Sequence, residues 1–298
     1  MVKSLKFLLF LIGTWSTARA NATCKPIPGA EQLWSSPSIR WVWVGEIHGS
    51  NEGPAAIANL ACLALAHTKQ VTVALERPTT EQTVLEGILT AKDVSAAAKA
   101  LLEEPGWRMN PDGRSSEAML HLLMSLRELH KSYPGLEVFA IDGPFYTGAI
   151  GKRDEAMGKS VLSIATTRPN ALVLVLTGNM HGLREPLVTY NTSAMVLPGE
   201  QLLSLELTNR KGSHAWTSTS DGCGDSASGV ADKDAARPYG IYLDPAAAPF
   251  GKADGVFALA VSLTASPPAV GELSPLPECR KLYLEKHQPP NAPPKNGN

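Results

Sequence analysis

The chain has 298 residues, of which 27 are Lys or Arg and 28 are Asp or Glu, so its formal net charge is −1. This balance leaves no strongly basic face, which excludes the usual electrostatics of a nucleic-acid-binding protein. The length suits one large α/β domain once the terminal segments are set aside.

Residues 1–20 have the pattern of a secretory signal peptide. Lys3 and Lys6 give a positive start, an apolar run covers 5–15, and Ala18 and Ala20 are the small residues before a cleavage site. The run is shorter than the roughly 20 apolar residues that span a bilayer. We therefore expect cleavage after Ala20, a periplasmic or secreted protein, and no stable membrane insertion.

Four cysteines follow: Cys24, Cys62, Cys223 and Cys279. An even number in an oxidising compartment predicts at least one disulfide and permits two, although spacing does not choose among three pairings. Cys62 lies in an apolar helical pattern, where a buried free thiol is the alternative.

Four short apolar runs predict fully buried strands at residues 41–44, 71–75, 136–141 and 171–177. They are dense in branched and aromatic residues without alternation, as in strands covered on both faces. Helical patterns occur at residues 54–67, 81–90, 93–103, 116–132 and 154–165. This alternation predicts βαβ units, a mostly parallel central sheet and right-handed crossovers.

The last third of the chain is less regular. Residues 202–207 and 256–263 predict two further strands, whereas the Gly-, Ser-, Asp- and Pro-rich stretch 209–254 predicts an irregular surface excursion. The Pro-rich tail 286–298 is expected to be disordered. These features predict a single α/β domain over residues 21–285.

The four buried strands all end in an ionisable residue or a glycine–histidine turn. The first runs into Gly45-Glu46-Ile47-His48, the second into Glu76, the third into Asp142 and the fourth into Gly178-Asn179-Met180-His181. The carboxyl ends of parallel strands share one edge, where open α/β sheets bind ligands. We therefore expect Glu46, His48, Glu76 and His181 to converge there.

Two kinds of chemistry suit this set. A neutral imidazole takes a proton from water or a substrate hydroxyl, and a carboxylate orients it. Alternatively, His48, His181 and Glu76 hold a divalent metal with an open position for water. The residues themselves leave both interpretations open.

At these positions the sequence resembles the superfamily of Tiki-type proteases, ChaN-like haem-uptake proteins and erythromycin esterase-like enzymes, over residues 42–207. The similarity consists of both glycine–histidine motifs, Glu52, Glu76, the run Trp107, Glu117, Arg127 and Asp142, and Arg153-Asp154-Glu155-Ala156-Met157, which is similar to an R-D-x-x-M segment. It implies a doubly wound α/β fold with helices on both faces of the sheet. In the enzymatic branches it also implies hydrolysis centred on His and Glu residues.

The resulting hypothesis is an exported hydrolase acting on an ester or amide of a small-molecule or peptide substrate. His48 is the expected general base, Glu46 and Glu76 orient it, and His181 and Arg153 stabilise the oxyanion. Asp154, beside Arg153, is expected to cap a helix.

Two alternatives remain. A periplasmic haem or iron-binding protein of ChaN type would have no turnover, although the tyrosine that haem-binding members use has no motif here. A catalytically inactive module for protein contacts is the third hypothesis.

Overall fold

The computed structural model describes residues 24–108, 112–143, 150–219 and 222–269, with the side chains of 218–223 excepted. The predicted signal peptide, the predicted tail and Cys279 lie outside these residues.

Among these residues, seven strands form one sheet and two form a separate hairpin. The strands are β1 (Trp41–Glu46), β2 (Val71–Pro78), β3 (Leu136–Asp142), β4 (Leu172–Gly178), β5 (Leu202–Thr208), β6 (His214–Thr219), β7 (Gly222–Ala227), β8 (Gly240–Tyr242) and β9 (Gly255–Ala258). The order across the sheet is β3-β2-β4-β1-β5-β9-β8, and all neighbours are parallel except β8 and β9. The predicted mostly parallel sheet is confirmed.

The helices between the strands are α1 (Glu52–His67), α2 (Gln82–Thr90), α3 (Val94–Glu103), α4 (Pro105–Arg108), α5 (Glu117–Ser132) and α6 (Ile150–Thr167). The first helix starts two residues before its predicted bound and α6 four before, whereas α2, α3 and α5 begin within one residue of theirs. Ser116 caps α5 by accepting from the Met119 amide, and Asp93 caps α3 by accepting from the Ala96 amide.

Helices cover both faces of the sheet because successive strand residues point in opposite directions. Val42 and Val44 face a core layer built with α1, α2 and α5, whereas Trp41 and Trp43 face a smaller layer built with α6. The doubly wound arrangement implied by the resemblance is therefore present.

The excursion predicted over 209–254 is irregular only in part. It contains the antiparallel β6/β7 hairpin and the edge strand β8. Its many Gly and Ser residues concealed the strands, because a small, partly exposed hairpin needs no apolar run. The Trp216 amide donates to Gly49 O, so the hairpin is fixed to the turn that follows β1.

The strand predicted at 256–263 ends early, at Ala258. Ala260 adopts a φ of 58°, in the left-handed region, which turns the chain out of the sheet although its apolar pattern continues.

Cys24 and Cys62 form a disulfide with a Cα–Cα distance of 5.6 Å. The expectation of at least one disulfide is confirmed, and the alternative of a free thiol at Cys62 is wrong. Cys62 lies within α1, so the bond ties the start of the described chain to that helix. The second disulfide that the even number permits is not tested, because Cys279 and the side chain of Cys223 lie outside the described part of the chain.

Within the residues described, no helix combines the length and apolar character needed to cross a membrane.

Candidate active site

The sheet order brings the chemistry-bearing strand ends together. Strand β4 lies between β2 and β1, so Gly178 at its end is next to both Glu76 on β2 and Glu46 on β1. A Cβ at Gly178 would lie 3.1 Å from His48 Nε2 and 3.6 Å from His181 Cδ2. The absence of a side chain at this position therefore lets both rings approach the same point.

Glu76 is the centre of the cluster and is almost fully buried. Its Oε2 lies 3.1 Å from His48 Nε2 and accepts from the Gly178 amide at 2.8 Å. Its Oε1 accepts from Arg153 Nη2 at 2.6 Å and from Arg114 Nη1 at 3.0 Å. Burial raises the pKa of Glu76, but His48 and the guanidinium of Arg114 outweigh it and hold the pKa well below its usual range. Glu76 is therefore an ionised carboxylate shared by three cationic side chains.

His48 is held between two carboxylates. Its Nδ1 lies 3.1 Å from Glu46 Oε1, and its Nε2 lies 3.1 Å from Glu76 Oε2. Burial alone would lower its pKa, but Glu76 and Glu46 together raise the pKa to about 10. At neutral pH the ring is accordingly a doubly donating imidazolium.

Glu46 is more deeply buried than Glu76 and has fewer partners. Burial raises the pKa of Glu46 more than its hydrogen bond with His48 lowers it. Its Oε2 has no hydrogen-bond partner among the described residues and lies against Gly53, where a Cβ would come within 2.2 Å of it. A side chain at position 53, in the first turn of α1, would therefore force this carboxylate to move.

Two arginines and two aspartates surround Glu76. Arg153, in the first turn of α6, donates to Asp142 Oδ1 at 3.0 Å and to Asp142 Oδ2 at 2.6 Å. Arg114 donates to Asp112 Oδ2 at 2.5 Å and to Asp142 Oδ2 at 3.3 Å. The paired guanidiniums are consequently fixed at the edge of the sheet.

His181 lies in a 3-10 turn, Asn179–Gly182, directly after β4. Its Nδ1 is 2.8 Å from Asp154 Oδ1, while its Nε2 is 3.2 Å from Arg153 Nη1. A guanidinium has only donors, so a neutral His181 would carry its proton on Nδ1 and present a lone pair at Nε2. His48, by contrast, has a carboxylate oxygen at each of its ring nitrogens.

The five residues predicted from the sequence therefore meet: Glu46, His48, Glu76, Arg153 and His181. His48, Glu76, Arg153 and His181 line a surface pocket of about 250 Å³. The volume lies just below the roughly 300–1,000 Å³ typical of small-molecule pockets.

The donor set does not fit a metal as it is arranged. Both ring nitrogens of His48 contact carboxylates, and those of His181 contact Asp154 and Arg153. The guanidinium nitrogens of Arg153 lie beside Glu76 Oε1 and His181 Nε2, so they occupy the place that a metal ion bound by these two atoms would need. Among the described residues, no group of three or more His, Cys, Asp or Glu side chains has metal-binding geometry.

Sequence reasoning missed Asp112 and Arg114 and misassigned Asp154. The prediction that Asp154 caps a helix is wrong: α6 begins at Ile150, and Asp154 is fully buried inside it against His181. The adjacent pair Arg153-Asp154, within the segment similar to R-D-x-x-M, is the sequence feature that indicates a role for Asp154 at the site. Arg114 lies in a short 3-10 turn, Gly113–Ser115, and its backbone carbonyl accepts a hydrogen bond from Arg77 Nη1 at 2.7 Å. No local sequence pattern predicts that the Arg114 side chain reaches the site.

The chain is thus an α/β protein whose mostly parallel sheet gathers acidic, histidine and arginine side chains at its carboxyl edge. No family model and no curated protein matches the chain in sequence. Among solved structures, a mutant of the erythromycin esterase EreC in its open conformation superposes with a TM-score of 0.61 at 11% identity, covering 80% of this chain and 94% of that one. A succinoglycan biosynthesis protein superposes with a TM-score of 0.57 at 8% identity, covering 77% of this chain and 89% of that one.

These likenesses concern the fold, because the sequence identities are low. They confirm the erythromycin esterase-like α/β architecture that the sequence motifs predicted.

Proposed function

We propose that this chain is an exported hydrolase that activates water for attack on an ester or amide carbonyl. The observation that carries the proposal is the pair of dissimilar imidazoles on either side of Glu76. His48 is fixed as a cation by two carboxylates, whereas His181 presents Nε2 towards a donor. An electrophilic group and a base in one pocket are what addition of water to a carbonyl requires.

The geometry favours His181, rather than His48, as the general base. A base must hold a lone pair near the reacting water, and the raised pKa of His48 keeps both of its nitrogens protonated at neutral pH. His181 Nε2 contacts Arg153 Nη1 at 3.2 Å. A water inserted between these two groups would accept from Arg153 and donate to Nε2, within proton-transfer distance of the base.

His48 and Arg153 would then stabilise the oxyanion. Both side chains carry positive charge at the pocket wall, and both are oriented by Glu76. Donors fixed in advance stabilise a developing negative charge without reorganisation. Glu46 holds the far side of the His48 ring and so orients the imidazolium.

The substrate would place its scissile bond in a small pocket, which favours a small molecule or an exposed peptide bond. Export is supported by the predicted signal peptide and by the Cys24–Cys62 disulfide, since such bonds persist in oxidising compartments. A divalent metal or haem stays a prediction from sequence, and no step above depends on either.

A screen of chromogenic esters and labelled peptides, with and without chelator, tests the proposal. We expect turnover that chelator does not remove, and its loss in His48→Ala and His181→Ala while each variant stays folded. His48→Ala should also lower the melting temperature, because it removes the cation that Glu46 and Glu76 share. His214→Ala is the matched control, because His214 is half-exposed on the hairpin and pairs with Asp225. If His48→Ala or His181→Ala unfolds the protein, that histidine is structural and its assignment fails.

Elemental analysis and a hemin titration of the same sample address the alternatives. Stoichiometric metal whose removal abolishes turnover would support the metal-assisted version instead. A sharp Soret band at one haem or fewer per chain, without hydrolysis of any probe, would replace the hydrolase with the haem carrier.

A further inference from the structure

Two consecutive residues of α6 hold opposite ends of the His181 ring. Arg153 Nη1 lies 3.2 Å from Nε2, and Asp154 Oδ1 lies 2.8 Å from Nδ1. Successive helical residues point about 100° apart, which allows two neighbours to bracket one side chain. The pair therefore constrains both the plane of the ring and the position of its proton.

Asp154 is itself held rigidly. It is fully buried, and its Oδ1 accepts from the Ser193 amide and from Ser193 Oγ, each at 2.9 Å. Its Oδ2 has no hydrogen-bond partner in the part of the chain that the structure describes. All donors to this carboxylate thus converge on one oxygen, which is the oxygen facing His181.

A purely structural role does not account for a carboxylate at this position. The two Ser193 donors would be satisfied equally by a neutral carbonyl oxygen, and burying an ionised carboxylate carries a large desolvation cost. Of the groups that donate to Asp154, the His181 ring is stabilised most by the negative charge of the carboxylate, because the ring becomes a cation when it accepts a proton.

We propose that Asp154, anchored by Ser193, is a positioning residue that fixes His181 as the Nδ1–H tautomer and directs its Nε2 lone pair into the pocket. The hydrogen bond made by one ring nitrogen decides which nitrogen is protonated. The catalytic consequence rests on the proposed function, whereas the tautomer is a property of the protein alone.

The first experiment therefore needs no substrate. Histidine labelled with ¹⁵N distinguishes the two neutral tautomers and the imidazolium by NMR, and a His181→Ala spectrum identifies the signals of His181. At about pH 8.5 we expect the Nδ1–H tautomer in the wild-type protein and in Arg153→Met, where Asp154 alone is left to hold the ring. We expect a mixture or the Nε2–H form in Arg153→Met/Asp154→Ala, where neither neighbour is left. A wild-type ring that is Nε2–H or doubly protonated, an Nε2–H ring in Arg153→Met, or an Nδ1–H ring that persists in the double variant would overturn the proposal.

The Asn variant separates orientation from charge. In the Arg153→Met background, Asp154→Asn keeps a carbonyl acceptor for Nδ1, so it should retain the wild-type tautomer even if the Ala variant fails to fold. A change to the Nε2–H form in Asp154→Asn would contradict positioning through Oδ1.

Turnover supplies the second readout. We expect kcat to fall about 100-fold or more in Asp154→Ala and by less in Asp154→Asn, with KM unchanged because Asp154 does not reach the pocket surface. The matched control is Glu155→Gln, on the exposed side of the same helix, where Glu155 pairs with Lys159. If the tautomer is as expected but no probe is hydrolysed, the proposed function fails and the positioning role stands; if hydrolysis occurs and Asp154→Ala leaves kcat unchanged, the positioning role fails.

Discussion

Glu76 and Arg77 are adjacent on β2, yet they belong to two different kinds of ionic cluster. Glu76 points to the pocket and is shared among His48, Arg114 and Arg153. Arg77 points into the larger core layer and is paired with Glu81 alone, through two hydrogen bonds of 2.8 and 2.7 Å. Both side chains are buried.

The Arg77 cluster is closed on every side. Its guanidinium lies 4.6 Å from the Trp107 ring centre, and Gly106 packs so closely on Glu81 that a Cβ there would lie 2.0 Å from Oε1. Arg77 also donates to Arg114 O. One positive and one negative charge cancel within a sealed volume, which is the arrangement of a structural ion pair.

The Glu76 cluster is open and its charges do not pair one to one. Three cationic groups and four carboxylates share contacts beside the surface pocket, and one carboxylate oxygen, Glu46 Oε2, has no partner among the described residues. An ionic network is therefore not evidence of function by itself. The candidate site differs from the Arg77 cluster in two respects: it is open to solvent, and several cationic side chains share the same carboxylate.

Removing Arg77 should have the largest effect on the free energy of unfolding. Arg77→Met leaves the Glu81 charge buried without its partner, which should lower the free energy of unfolding by about 3–5 kcal/mol. Urea denaturation measures the loss. The double variant Arg77→Met/Glu81→Leu is the control and should recover most of it, because no buried charge is left alone. A loss below about 1 kcal/mol in the single variant would mean that this cluster is not structural.

Glu76→Gln should give the complementary result. The amide keeps the size of the side chain but removes the charge that orients His48 and Arg153, so kcat should fall about 100-fold with a smaller loss of stability than in Arg77→Met. The matched control is Glu81→Gln, which alters the other buried glutamate and should reduce stability while leaving kcat of the folded fraction intact. If both variants lowered kcat equally, the Glu76 cluster could not be separated from the Arg77 cluster as the functional one.

The pH dependence of stability should identify the Glu76 cluster. The pKa of His48 is raised from 6.5 to about 10 on folding, so its contribution to the free energy of unfolding is complete below about pH 6.5 and is lost as the pH rises to about 10. Glu76 acts in the opposite direction: its pKa is lowered, so its contribution is present above its ordinary pKa of 4.5 and is lost on acidification.

The free energy of unfolding in urea, measured between pH 6 and 10, tests the expected contribution of His48. His48→Gln should flatten the curve in that range, whereas Arg77→Met should shift it downwards without changing its slope. A wild-type curve that is already flat would show that His48 is not held as a cation.

The smallest expected effect is the coupling between Arg77 and Trp107. A double-mutant cycle with Arg77→Met and Trp107→Phe should give an interaction energy of about 0.5–2 kcal/mol, because the guanidinium lies within reach of the ring. Denaturant titration of the four proteins measures it. A coupling indistinguishable from zero would leave the Glu81 ion pair and the hydrogen bond to Arg114 O as the interactions that hold Arg77.

Much of the fold could be predicted because its signals are local. Buried parallel strands are continuous apolar runs, and the bounds of β1 to β5 lie within three residues of the predicted ones. The β6/β7 hairpin escaped because its polar, glycine-containing strands lack that signal. The gathering of Glu46, His48, Glu76 and His181 could also be predicted, since parallel strands end at one edge.

The sequence by itself determined which side chains stand at the ends of the strands, because that follows from apolar runs and the residues after them. Only the tertiary structure decided what those side chains do to one another. The charge state of His48 depends on Glu46 and Glu76, which arrive on separate strands, and the orientation of His181 depends on Asp154 and Ser193 from a helix and a later turn. Electrostatic interactions sum over distances in space, and no local pattern in the chain records those distances.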